Sequence, residues 1–190
     1  MPELFYQLGR LLGSSWLYIV ISSLMILAPK YRSNIYWGLV GLILNALLNF
    51  NLKLFFKIPL SYKSHGFAFP SGHMQAASFI LLWLALTRFF KLEFYFLPIL
   101  AWIGASLIHY GYHTLTEVVG GFAFASIFCS FYWYLYRKTT VLPLMSILIF
   151  TGLFILYFLQ TGFDFKIQTT SLVFLCFFVL QWKLAPKGKP

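Results

Sequence analysis

Long apolar runs cut by single or paired charges constrain this chain more than any other feature of its sequence. A helix that crosses a bilayer needs about 20 largely apolar residues. The sequence divides at its charges into runs near that length: Leu11–Ala28, Asn34–Phe56, Ser71–Phe90, Phe94–Tyr112, Thr116–Tyr136 and Val141–Gln160. A shorter run, Thr170–Trp182, is read as a seventh span in a thin bilayer or as a re-entrant or interfacial segment. The expected fold is therefore an all-α, polytopic transmembrane bundle of six or seven spans, a single integral membrane domain over residues 1–190. Composition agrees, since 61% of the chain is hydrophobic and 9% is charged, against about 45–50% and 25% in soluble domains. The N-terminus, "MPELFYQLGR", carries Glu3 and has no basic leader, and no small-residue cleavage signal follows the first apolar run. That run is read as a retained span.

The net charge of +10 does not point to nucleic acid, because the Lys and Arg residues are dispersed between apolar runs and form no basic stripe. They are placed to anchor spans and meet anionic lipid. With the spans above, one face of the membrane collects Lys30, Arg32, Arg88, Lys91, Arg137, Lys138, Lys183, Lys187 and Lys189. The other collects Arg10, Lys53, Lys57, Lys63 and Lys166. The positive-inside rule makes the first face cytoplasmic and the second extracytoplasmic. The expected location is a membrane of the bacterial inner type, with the second face toward the periplasm. Cys129 and Cys176 lie inside apolar runs and carry no redox information.

All four histidines, His65, His73, His109 and His113, fall on that extracytoplasmic face, next to Lys53 and Glu117. Ionisable groups at membrane depth are costly and mark functional sites. In "FAFPSGHMQ", Pro70 restricts Phe69 to extended backbone, so the chain is expected to arrive straight at a helix that Ser71 caps. The free N–H groups of that first turn, with Gly72 permitting close approach, suit an anion such as phosphate. His73 stands in the same turn as a proton donor. In "SLIHYGYHTLTEVVGG", His113 and Glu117 are four residues apart, a spacing that sets a carboxylate behind an imidazole. An imidazole oriented in this way can act as a nucleophile. Gly120 and Gly121 are expected to allow close helix packing.

These residues resemble the type 2 phosphatidic acid phosphatases, relatives of the vanadium haloperoxidases. That family carries K-x6-R-P, then P-S-G-H, then S-R-x5-H-x3-D. "PSGH" is complete at Pro70–His73, Lys53, Ser106 and His113 fall at matching places, and Glu117 stands where the family has Asp. The resemblance implies a family core over about residues 34–136 and a lipid or polyprenyl phosphate as substrate, cleaved or transferred without metal or other cofactor. It implies His113 as nucleophile, Glu117 as its orienting partner and His73 as the acid for the leaving group. Ser71, Gly72 and Lys53 would hold the phosphoryl oxygens.

Both family arginines are absent: Leu60 and Ser61 stand at the Arg-Pro position, and Leu107 follows Ser106. Lys57, Lys63 and His109 are the nearest candidates to supply the missing donors, although lysine lacks the planar fork of arginine. A catalytically degenerate relative that binds a lipid headgroup, or serves as a structural subunit of a membrane assembly, is the alternative reading. A metal centre built from His109, His113 and Glu117 is a third, disfavoured because Gly111 interrupts the helical face that would carry it. No protein partner is specified by the sequence.

Overall fold

The computed structural model describes residues 2–14, 32–60, 66–87, 95–138 and 142–161. Most of the first expected span, the Thr170–Trp182 run, His65 and the candidate Lys63 lie outside these residues. The described chain is all-helical. Its helices are α1 (Pro2–Leu12), α2 (Arg32–Phe56), α3 (Gly72–Leu86), α4 (Phe96–His109), α5 (Leu115–Lys138) and α6 (Leu142–Thr161). Two of them, over Ser33–Phe56 and Leu115–Arg137, are long and apolar enough to cross a membrane.

Helix α3 is the hub. Its sequence is apolar on every face, as expected of a helix surrounded by others, and it packs most extensively on α5, then on α2 and α4. Phe79, Trp83, Phe128 and Tyr132 form the aromatic centre of the core. Glycine makes room for them: a side chain at Gly38 would collide with the Trp83 indole, and one at Gly41 with Phe79 and Tyr132. The indole N–H of Trp83 donates to the Asn34 carbonyl at 2.8 Å, fixing α3 against the start of α2. Helix α6 rests on α2, and α1 rests on α4.

Two spans differ from expectation in length. Helix α3 has 15 residues and α4 has 14, or about 21–22 Å at 1.5 Å per residue. Their ends are set by local chemistry. Thr87 closes α3 by returning its hydroxyl to the Trp83 carbonyl. Gly111, at φ 65°, closes α4: the Gly111 N–H bonds the Ile108 carbonyl and the Tyr112 N–H bonds the Leu107 carbonyl. That pair of bonds is a Schellman turn, which needs a left-handed residue where Gly111 stands.

Several polar groups lie inside beside the apolar core, and large apolar groups lie outside. Asn45, Asn49, Gln75, Ser71 and Ser106 are buried, whereas Phe55, Ile127, Phe131, Leu148 and Leu159 are exposed. Helix α1 is a separate element that begins ahead of the first expected span. Its Tyr6, Gly9 and Gly13 meet α4, at His109, Ser106 and Ile103 respectively, and Leu4, Leu8 and Leu11 form an exposed apolar stripe on another face.

Candidate active site

The site is built at the end of the bundle where α3 and α5 begin and α2 and α4 finish. Ser71 caps α3, accepting the Met74 N–H on its hydroxyl at 3.4 Å, as its type and place dictate. It is fully buried, and its own N–H donates to the Glu117 carbonyl at 3.0 Å, which joins the start of α3 to the start of α5. Close packing is possible there because position 121 is glycine. A Cβ on Gly121 would lie 2.6 Å from the Ser71 carbonyl oxygen, and one on Gly120 would strike the Phe69 ring. The Phe69–Pro70 peptide that leads into this junction is cis.

His113 and Glu117 are in contact, with Nδ1 and Oε2 2.7 Å apart and both residues buried. The contact is not made along one helical face. Helix α5 starts at Leu115, so His113 precedes it and Glu117 sits in its first turn. Thr114 caps the helix: its hydroxyl accepts the Glu117 N–H at 3.4 Å, and the Glu117 Oε2 accepts the Thr114 N–H at 3.2 Å. This reciprocal capping box is written in the sequence as "TLTE". The carboxylate that closes the cap thereby also holds the imidazole. A carboxylate can only accept, so His113 carries its proton on Nδ1 and leaves Nε2 with a free lone pair when neutral. Burial holds the His113 imidazole below its ordinary pKa, with Glu117 pulling in the opposite direction.

A cavity of about 270 Å³ opens at this point, lined in part by Lys53, Gly72, His73 and His113. The imidazoles of His73 and His113 lie with ring centroids 6.1 Å apart, well inside the roughly 10 Å diameter of a helix. His113 is buried and His73 is exposed, so one forms the wall and the other the mouth. The Lys53 ammonium donates to the Phe67 carbonyl at 2.7 Å and more weakly to the Ala68 carbonyl at 3.4 Å. It pins the returning loop while lining the cavity.

No family model matches the chain, and no curated protein or solved structure matches it significantly.

Other sequence candidates fall elsewhere. Lys57 is exposed at the end of α2 and does not line the cavity. His109 stacks on Tyr6 of α1 at 3.8 Å between centroids, so His109, His113 and Glu117 do not assemble as a set. Ser106 turns its hydroxyl to the Trp102 carbonyl, beside Gly9. Of the two leucines at the arginine positions, Leu60 lines the cavity and Leu107 is buried in the core. The space beside Gly72 is occupied by the Asn49 side chain, whose Oδ1 would lie 3.1 Å from a Cβ there.

Three further polar residues complete the cavity. Asn49 donates to Gln75 Oε1 at 2.7 Å and to the Pro70 carbonyl at 3.2 Å. Gln75 in turn donates to the Asn45 side chain at 3.1 Å. Asn45, Asn49 and Lys53 recur every four residues within an apolar helix. That stripe is visible in the sequence and marks the face turned to the site. Arg10 of α1 stands near the mouth, within electrostatic range of His73, and donates to the Tyr112 hydroxyl at 3.0 Å. Among the described residues it has no carboxylate partner.

Proposed function

We propose that the protein is an integral membrane phosphatase or phosphotransferase acting on a lipid or polyprenyl phosphate at the extracytoplasmic face, through a histidine nucleophile. The observation that carries the reading is the meeting of His73, the His113–Glu117 pair and Lys53, which are separated in sequence, around one small cavity. Membrane residence is supported by the two long apolar helices and by apolar side chains on the outside of a bundle that buries its amides. The six or seven spans and the phosphatidic acid phosphatase-like core belong to this proposal.

In the proposed reaction the Nε2 lone pair of His113 attacks phosphorus and the bond from phosphorus to the lipid oxygen breaks. His73, protonated, gives its proton to the departing oxygen. Glu117 holds the Nδ1 proton and balances the positive charge that develops on the ring. Water, or an acceptor hydroxyl, then attacks the phosphohistidine and gives a proton back to His73, releasing inorganic phosphate or the transferred product. Lys53 and the start of α3 at Gly72 and His73 face the negative charge spread over the equatorial oxygens, while Ser71, fully buried and outside the cavity lining, serves as the cap of that helix. Arg10, held by the Tyr112 hydroxyl, adds positive charge near His73.

Two observations favour the second reading, a degenerate relative that binds a headgroup or serves as a structural subunit. The cavity is lined by Leu60 where the family pattern has arginine, and Lys53 is engaged with backbone carbonyls. Phosphate release by the purified protein over a panel of lipid phosphates, with His113→Ala as comparison, separates the two. Activity abolished by the substitution supports the enzyme. An inactive wild type, with cellular function surviving loss of His73 and His113, supports the degenerate relative.

A further inference from the structure

A second and larger cavity, of about 460 Å³, lies between α2 and α6. Its walls are two helical stripes, Ile43, Leu47 and Leu54 on α2 facing Phe150, Phe154 and Tyr157 on α6. It is not separate from the site described above: Ala46, Phe50, Lys53 and Leu60 line both cavities. The polar and the apolar space therefore meet at one ammonium group. From Ile43 to Lys53 the groove runs along α2 for ten residues, or about 15 Å at the helical rise.

We propose that the two cavities are one bipartite ligand site, in which the groove between α2 and α6 holds the hydrocarbon chain of a phosphate-bearing amphiphile whose head lies against Lys53, His73 and His113. The inference rests on the phosphate reading of the smaller cavity and adds to it where the tail goes. An apolar groove on a membrane protein by itself takes any lipid tail. This one ends at a cation beside two imidazoles, so it favours a chain that carries a negative head over the same chain with a neutral head. Leu60 fits the arrangement, since it gives the junction an apolar wall where a second cation would hold the tail's first carbons in a polar setting. The tail also supplies binding energy remote from the reacting atoms, which positions the phosphoryl group.

The test is photolabelling of the full-length protein in detergent with two probes that share a diazirine-bearing alkyl chain, one ending in phosphate and the other in a hydroxyl. The expected result is adducts on α2 and α6 at groove residues such as Leu47 and Phe154, formed by the phosphate probe about tenfold or more over the alcohol, the discrimination a charge-assisted hydrogen bond confers. Excess long-chain alkyl phosphate should compete for the labelling, and inorganic phosphate should compete only weakly. Equal labelling by both probes would make the groove a bulk-lipid surface and overturn the inference. So would labelling by neither, with residues 170–182 crosslinking into the groove instead. Binding is read here without turnover, so failure of the groove and failure of the catalytic reading are distinguishable. Selective labelling with no phosphate release leaves the bipartite site standing and ends the enzyme, whereas release with unselective labelling does the reverse.

Discussion

Replacing Glu117 by Gln removes one charge from the site and little else. The side-chain amide can present its oxygen where Oε2 now stands, and so can still accept from His113 Nδ1 and from the Thr114 N–H, at present 2.7 and 3.2 Å away. The capping box accepts Gln as well as Glu, so helix α5 keeps its start and His113 its tautomer. What is lost is the carboxylate that balances positive charge on the imidazole as Nε2 bonds to phosphorus. The lower bound on that loss is the difference between a charged and a neutral hydrogen bond, about 1–2 kcal/mol, or roughly tenfold in rate. The upper bound is about 4 kcal/mol, the interaction of unit charges about 4 Å apart at an effective dielectric of 20, or roughly 10³-fold. The turnover number of Glu117→Gln should therefore fall between those limits while its melting temperature stays within a degree or so of wild type. Glu117→Ala should lose as much activity and also the cap, about 1 kcal/mol, which lowers the melting temperature by about 2–4 °C for a chain of this size. A Gln variant that turns over within twofold of wild type would show that Glu117 serves the helix cap alone, and the reasoning would fail.

The junction of α3 and α5 gives a stability prediction. Gly121→Ala would bring a methyl group to 2.6 Å from a backbone oxygen, so the protein should lose about 1–3 kcal/mol and activity with it. Gly152→Ala, with no atom within 4 Å of the added carbon, should be neutral or stabilising by up to about 1 kcal/mol. Thermal denaturation of the pair in detergent checks both. For His113, the folded state resists protonation because the ring is buried, so the unfolded chain binds more protons as pH falls. Its contribution to stability is intact above the unfolded value of about 6.5 and is lost as pH falls through the lower folded value. A melting temperature that declines below pH 6.5 in wild type and less steeply in His113→Asn is expected; parallel curves would remove His113 as the cause. Arg10→Ala should lower kcat/KM by about tenfold, the order of one charge-assisted contact, with Arg10→Lys recovering part of it. An Arg10→Ala enzyme with unchanged kcat/KM would confine Arg10 to its contact with Tyr112.

Local chemistry in this chain was legible and long-range packing was not. The Ser71 cap and the pairing of His113 with Glu117 follow from neighbours within a few residues, whereas Gly120 and Gly121 announce close packing without naming Phe69 and Ser71 as what packs there. Even within local chemistry the route differed: His113 and Glu117 meet through the capping box begun by Thr114, because the helix starts after the histidine, and the cis peptide before Pro70 leaves no mark in the sequence. On α2 only Lys53 is expected at the site, although Asn45 and Asn49 share its face at a four-residue period. Their partner Gln75 is not marked, since a single amide in an apolar helix announces no direction. Contacts between residues about a hundred positions apart, such as Tyr6 with His109 or Arg10 with Tyr112, depend on how α1 lies against α4. No periodicity within either helix encodes that, so the sequence points to His109 as a candidate donor and gives no sign of Arg10.

The covalent intermediate tests the central claim most directly. The protein would be mixed with a lipid phosphate labelled at phosphorus, quenched within the first turnovers under alkaline conditions that preserve phosphohistidine, and digested for mass spectrometry. The account predicts an acid-labile phosphoryl group on the peptide carrying His113, absent from His113→Ala and accumulating in His73→Ala when the substrate has a leaving group that needs no proton. Phosphate release at full rate with His113 unmodified, or with His113 replaced, would contradict it.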